Sequence, residues 1–326
     1  MALLRVPARA QASPVTTEPE IRTRDNRIRL RDGRWLGYYE SGDPNGRPVL
    51  FFHGFGTTRV VCPPDEEARR LGVRLIALDR PGIGLSTPRP GRRLLDWPDD
   101  VRQVTEQLGV NRFSIVGWSG GGPYALACGK RLGDRIDAIA IVSGAAPLAG
   151  AARKDYLRRF DRNAVIAAGK APWVIRLALW HWGRAQRRDA ERFFEQSLTD
   201  MCAADQEALS EPALRSQMIA NSVELYRQGG RGMYDEALIL ARPWGFDLSE
   251  IRVRVDIWHG ALDNTVPIAM STHLAESIPG ARLRLFPQEG HHLLYRFWPD
   301  ILGTLVHTDP APILATPVFV PSAGHA

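Results

Sequence analysis

A chain of 326 residues has room for one large domain or a domain with a sizeable insertion, and its globular balance of apolar and charged residues excludes overall disorder, a collagen-like repeat and a disulfide-stapled miniprotein. Its 42 basic residues outnumber 36 acidic ones, but the two signs are interspersed, as in Asp65-Glu66-Glu67-Ala68-Arg69-Arg70, and not gathered into the patch that nucleic-acid binding requires. Cys62, Cys128 and Cys202, far apart and without metal-ligand spacing, read as the reduced thiols of a cytoplasmic protein with no metal site, and no apolar run reaches the roughly 18 residues of a membrane span.

Residues 1–24, with Pro7 and Pro14 and no sustained apolar stretch, read as a disordered leader and not as a secretory signal. Strand-like runs follow near Ile28 to Leu30 and Trp35 to Glu40, then at Pro48 to Phe52, Val73 to Leu78, Phe113 to Val116 and Ile136 to Val142. The later runs are apolar almost without interruption, the pattern of parallel strands buried on both faces, and helical patterns lie between them. Over 147–250 the strand pattern gives way to an inserted helical region with Pro172 and Pro212 as breakers. Within it the stretch Trp173 to Trp182 is apolar nearly all round, which predicts burial or a place along a substrate cleft. Val253 to Trp258 and Ala281 to Phe286 bring the expected total to about eight strands, and the Pro/Ala-rich residues 307–326 read as an extended or disordered tail. The expectation is an α/β fold with a mostly parallel eight-stranded sheet, its core formed by 25–146 and 251–306.

The run Val116-Gly117-Trp118-Ser119-Gly120-Gly121 joins a strand to a helix and contains G-x-S-x-G. That spacing makes a sharp, strained turn which thrusts the serine hydroxyl out at the sheet edge, and the helix that follows aims its free N–H groups and positive dipole end at the same place. Ser119 is therefore the candidate nucleophile. A dinucleotide loop wants G-x-G-x-x-G and a Walker loop wants Lys before Ser/Thr; this turn has neither. A serine needs a base and an oriented acid. Asp263 stands just beyond the strand ending at Trp258, and the pair His291-His292 lies beyond the last strand, so either histidine can be the base.

Together with His53-Gly54-Phe55-Gly56 after one strand and Asp79-Arg80-Pro81-Gly82-Ile83-Gly84-Leu85-Ser86 after the next, these residues make the chain resemble the α/β-hydrolase fold superfamily over about Arg27 to Val306. The resemblance implies that His291, directly after the Gly of the last loop, is the base. It implies that the backbone N–H groups of Phe55 and Gly120 form the oxyanion hole, and that 147–250 is a helical cap over the substrate. His53 and Asp79 are expected to shape their loops. The resulting expectation is a serine hydrolase that needs no cofactor and cleaves an ester, or a related acyl bond, of a medium-sized, largely apolar small molecule, with Trp118, Trp173, Trp180 and Trp182 as substrate-contacting residues. Non-hydrolytic chemistry on the same triad, as in a perhydrolase, lyase or carbon-carbon bond hydrolase, and a silent ligand-binding protein on this fold are the alternatives.

Overall fold

The computed structural model describes residues 25–148 and 170–306 and the backbone of 318–320. The expected leader, residues 149–169 of the insertion and the rest of the tail lie outside the described residues. In chain order the elements are β1 (Asp25–Arg29), β2 (Trp35–Gly42), β3 (Arg47–Phe52), α1 (Asp65–Arg70), β4 (Val73–Leu78), α2 (Trp97–Gln107), β5 (Phe113–Trp118), α3 (Gly122–Leu132) and β6 (Ile136–Val142). The insertion then supplies α4 (Pro172–Arg188), α5 (Ala190–Leu198), α6 (Ala203–Leu209), α7 (Pro212–Leu225) and α8 (Arg231–Ala241). The chain returns through β7 (Val255–Gly260), α9 (Ile268–Ser277), β8 (Arg282–Phe286), α10 (Leu293–Arg296), α11 (Trp298–Val306) and β9 (Val318–Val320).

The strands form one sheet in the order β1-β2-β4-β3-β5-β6-β7-β8-β9. Strands β3 to β8 are parallel, while β1, β2 and β9 pair antiparallel at the edges. Because successive side chains of a strand point to opposite faces, the continuous apolar runs feed two cores. Leu50, Phe52, Ile115, Ile139, Ile141 and Ile257 face one side and meet α2, α3 and α9 through Trp97, Val101, Leu126 and Leu274. Val49, Phe51, Val116, Ala140, Val142 and Trp258 face the other and meet α11 through Trp298, Ile301 and Leu302. The ninth strand adds to the expected eight: residues 318–320 of the tail pair with β8, Leu283 opposite Val320.

In the insertion, Pro172 and Pro212 are not breakers. They occupy the first turns of α4 and α7, where a missing N–H costs nothing, and Glu211 caps α7 by accepting from the N–H groups of Ala213 (3.1 Å) and Leu214 (2.7 Å). Helix α4 is not buried either. Its inner stripe is narrow, Leu179, Gly183 and Gln186, and this leaves Trp173 (67 % exposed), Trp180 (51 %) and Trp182 (51 %) turned outward.

Buried charge ties the insertion to the sheet. Arg59, in the loop after β3, donates to Asp79 after β4 (2.6 Å) and to Glu224 on α7 (2.6 Å). Arg80 pairs with Glu236 on α8, Nη2 to Oε2 at 3.0 Å, with neither side chain reached by solvent. Removing one member of such a pair strands the other in a low dielectric, at a cost of about 3–5 kcal/mol. Beside the second pair, Gly232 at the start of α8 rests directly on Gly82: a Cβ at Gly232 would lie 2.2 Å from the Gly82 carbonyl oxygen. Gly232→Ala is accordingly expected to push α8 off the loop and lower unfolding free energy by about 1–3 kcal/mol, read by urea denaturation. An unchanged midpoint and slope would show that the two backbones are not locked together.

Candidate active site

Strand β5 ends at Trp118, and Ser119 takes φ +52°, a left-handed conformation that costs a non-glycine residue energy and persists only when its surroundings enforce it. The neighbouring glycines show the enforcement. A Cβ at Gly121 would sit 2.1 Å from the Phe52 carbonyl oxygen, and one at Gly117 would sit 2.9 Å from Ala125 Cβ, so the turn closes only where side chains are missing. Helix α3 then starts with Pro123 in its first turn. Ser119 itself is half-buried.

The loop after β3 lies against this turn. A Cβ on Gly120 would be 2.8 Å from the Phe55 backbone nitrogen, and one on Gly54 would be 3.3 Å from Ser119 Cβ, so the Phe55 and Gly120 backbones are in contact beside the serine. Arg80 holds this loop from below, donating to the carbonyls of His53 (2.5 Å) and Gly54 (2.9 Å). His53 is wholly buried, with Nδ1 2.9 Å from the Gly54 oxygen, and burial keeps its pKa well below the ordinary histidine value. Asp79 accepts from the backbone of Arg59 (2.8 Å) and Leu85 (2.9 Å) and so shapes its own loop.

Asp263, in the loop after β7, accepts at Oδ1 from the N–H groups of Thr265 and Val266, both at 2.8 Å, and its Oδ2 lies 2.8 Å from His291 Nδ1. Trp118 completes the link to the serine's turn: its indole N–H donates to the His291 carbonyl (3.1 Å) and its ring lies 5.6 Å from the imidazole, centroid to centroid. Burial opposes a charge on either partner. Even so, the imidazole holds Asp263 below its usual range, and Asp263, by charge and hydrogen bond, raises His291 above its own. At one end of the parallel strands the structure thus places Phe55 and Gly120 in contact beside Ser119, and the bonded pair Asp263–His291 on the loops after β7 and β8, with Trp118 bonding the serine's turn to His291.

A profile of the alpha/beta hydrolase fold family matches residues 47–296. The chain belongs to this family. An esterase from Exiguobacterium antarcticum superposes with a TM-score of 0.65 at 21% identity, covering 86% of this chain and 98% of that one. The proline iminopeptidase of Neisseria gonorrhoeae is 25% identical over 270 residues, 77% of this chain and 85% of that protein. Shorter likenesses include a serine hydrolase-like protein of Danio rerio, 41% identical over 93 residues, 26% of this chain and 27% of that protein's length. A probable proline iminopeptidase of Leptolyngbya boryana is similarly matched over 32% of its length.

In this α/β hydrolase the insertion contributes a residue that the sequence did not single out. Asp205 on α6 is 1% exposed, and its carboxylate accepts the backbone N–H of His291 (3.0 Å) and of His292 (2.7 Å) while lying 3.3 Å from His292 Nδ1. Burial works against its charge, but the His292 imidazole 3.3 Å away and hydrogen bonds from both backbone amides hold its pKa far below the carboxylate range. His259, at the end of β7, stands 3.9 Å behind Asp263 and bonds Ser271 (2.8 Å); burial pulls its pKa down to about 4, so it is neutral near pH 7.

Trp173 and Trp182 border neither of the two described cavities, and Trp180 borders the smaller. The larger, about 1260 Å³ between α6, α7 and the loops at Arg59 and Gln288, is lined by none of Ser119, Asp263 and His291. Among the described residues no cluster of His, Cys, Asp or Glu is arranged to hold a metal ion, and no helix is long and apolar enough to cross a membrane.

The Asp205 clamp has a measurable signature. Its charge is one of the influences raising the His291 pKa, with Asp263 the larger and burial opposing both. Asp205→Asn removes that charge and turns an amide N–H toward a backbone donor, so the His291 titration followed by imidazole NMR is expected to move to lower pH while the Asp263 contact stays. A midpoint unchanged from the parent protein would show that Asp205 does not act on His291.

Proposed function

We propose that this chain is a serine hydrolase that cleaves a carboxylic ester, or a related acyl bond, of a largely apolar small molecule through an acyl-enzyme. The observation that carries this reading is the His291–Asp263 contact of 2.8 Å, tied by the Trp118 indole to the strained left-handed turn that carries Ser119, on loops after three different strands. Ser119 is the nucleophile. His291 takes its proton as it attacks the carbonyl and returns it to the leaving group, and Asp263 fixes the tautomer with Nδ1–H toward itself and stabilises the imidazolium. The N–H groups of Phe55 and Gly120 receive the oxyanion, and water then releases the acyl group by the same steps. The groups named form a complete set for this chemistry without a cofactor.

An ester is favoured over an amide because an alkoxide leaves with less help from an acid. Both bond types occur among relatives named for their activity, a pimeloyl-[acyl-carrier protein] methyl ester esterase and proline iminopeptidases. The insertion is read as the cap over the substrate: its Leu179, Leu225 and Met233 pack with Ile83 in a buried apolar cluster against which the half-buried Phe55 rests. Three cysteines with no disulfide support a cytoplasmic setting.

A fluorophosphonate probe is expected to label Ser119, and Ser119→Ala is expected to fold normally and lose both labelling and hydrolysis of p-nitrophenyl esters. Asp263→Asn leaves the imidazole misoriented and should cost about 10⁴ in turnover, while His291→Ala should be far more damaging than His292→Ala. The base works only when neutral, so kcat/KM rises with pH through the His291 pKa, and the acid limb is expected to lie above the ordinary 6.5. Full activity of the Ser119 variant, or a more severe loss on changing His292 than His291, would overturn the assignment.

A further inference from the structure

Helix α4 exposes more large apolar side chains than any other described element. Of nine such side chains among the described residues, five lie on it: Trp173, Val174, Leu177, Trp180 and Trp182. A single exposed apolar residue is ordinary on a protein surface, but a cluster marks a place where something else binds. Helical spacing arranges this one. Trp173, Leu177 and Trp180 follow at intervals of four and three and form one ridge, which Arg184 continues. Arg176 and Arg187, about three turns apart, flank the ridge on one side, and Arg188 flanks it on the other.

The charges specify the partner. All four arginines are exposed and none meets a carboxylate among the described residues; Arg184 lies 5.6 Å over the Trp180 ring and Arg187 5.5 Å over Tyr226. No acid occurs from Lys170 to Arg188, and Asp189, the next residue, is engaged as the cap of α5, accepting from the Arg192 N–H at 3.0 Å. A second copy of this chain would set arginines against arginines, and like charges on a desolvated face repel. Trp173 and Leu177 border neither described cavity, so neither sits in a groove that could receive the side chains of a peptide. A lipid surface conforms to such a ridge. Tryptophan settles at the headgroup boundary, leucine reaches the acyl chains, and arginine extends its long stem to phosphate. At 17 residues, about 25 Å, α4 is not long enough to cross a bilayer and suits a position in the plane of its surface.

We infer that α4 docks this protein on an anionic phospholipid surface, with Trp173, Leu177 and Trp180 entering the headgroup layer and Arg176, Arg184, Arg187 and Arg188 meeting lipid phosphates. Each arginine near an anionic leaflet strengthens partitioning by about fivefold, and burial of one large apolar side chain by about tenfold. Neither contribution is enough alone, so binding depends on both the charge and the apolar ridge.

Vesicles of phosphatidylglycerol and phosphatidylcholine in equal parts, sedimented with the intact protein, are expected to carry it down at low ionic strength, and pure phosphatidylcholine vesicles to carry down much less. The bound fraction should fall as salt screens the arginines. Trp173→Ser with Leu177→Ser, and separately Arg184→Gln with Arg188→Gln, should each weaken partitioning by about tenfold or more. All four positions are exposed, and circular dichroism checks that both variants fold as the parent does. Brominated acyl chains should quench tryptophan fluorescence in the parent protein, and less so in Trp173→Phe with Trp180→Phe. Failure of the parent to sediment with the anionic vesicles refutes the inference, and equal partitioning of the parent and both variants places vesicle contact elsewhere on this basic chain and refutes it too. Binding that survives the apolar substitutions and is competed away by soluble polyglutamate assigns the face to an acidic protein, while a concentration-dependent dimer that does not bind vesicles assigns it to a second copy; either overturns the lipid reading. None of these measurements needs turnover, so the inference stands or falls separately from the hydrolase reading.

Discussion

Three charged contacts buried between the helical insertion and the loops at the strand ends govern the geometry of the site. Arg59 joins the loop after β3 to Glu224, Arg80 joins the loop after β4 to Glu236, and Asp205 receives the backbone of the loop after β8. None of these groups is stable alone in its position, because a desolvated charge without its partner costs several kcal/mol. The insertion and the strand-end loops are therefore held in one mutual position. Arg80 shows the consequence most directly, since the guanidinium paired with Glu236 also bonds the carbonyls of His53 and Gly54, and through them a helix of the insertion fixes the backbone next to Phe55.

Much of this arrangement was legible in the sequence, and the parts that were share a physical cause. Parallel strands buried on both faces leave near-continuous apolar runs, and the strained turn at Ser119 has a steric requirement that only G-x-S-x-G spacing meets, so both leave local marks. The His291–Asp263 contact was accessible because each residue follows a strand that could be recognised. What was missed is non-local. Asp205 lies 86 residues from His291, and Arg80 lies 156 from Glu236; an acid or an arginine on a helix gives no periodic or motif signal of such a partner. The prolines at 172 and 212 were misread because proline both ends and begins helices, and only the capping geometry of Glu211 and the turn that follows separates the two. The three-residue strand Val318–Val320 is too short for an alternating pattern to emerge from its Pro/Ala-rich surroundings.

The two adjacent histidines show how the fold gives unlike roles to like residues. His291 directs its side chain to Asp263 and its backbone to Asp205 and Trp118, whereas His292 directs its side chain toward Asp205 and lies nearly parallel to Tyr295, with planes 14° apart. Both rings are buried, yet their pKa values move in opposite directions. Burial dominates at His292 and lowers its pKa, while at His291 burial is outweighed by the charge of Asp263, its hydrogen bond and the charge of Asp205 taken together, which raise it. In the proposed reaction, in which His291 gains a proton as Ser119 loses one, the second environment helps, because the imidazolium would already have a fixed, ionised partner. One residue of register between His291 and His292 thus separates a ring prepared to hold a proton from one that resists it. The backbone N–H groups of both residues are held by the single carboxylate of Asp205, so a side chain from the insertion braces the turn that presents His291 to Asp263.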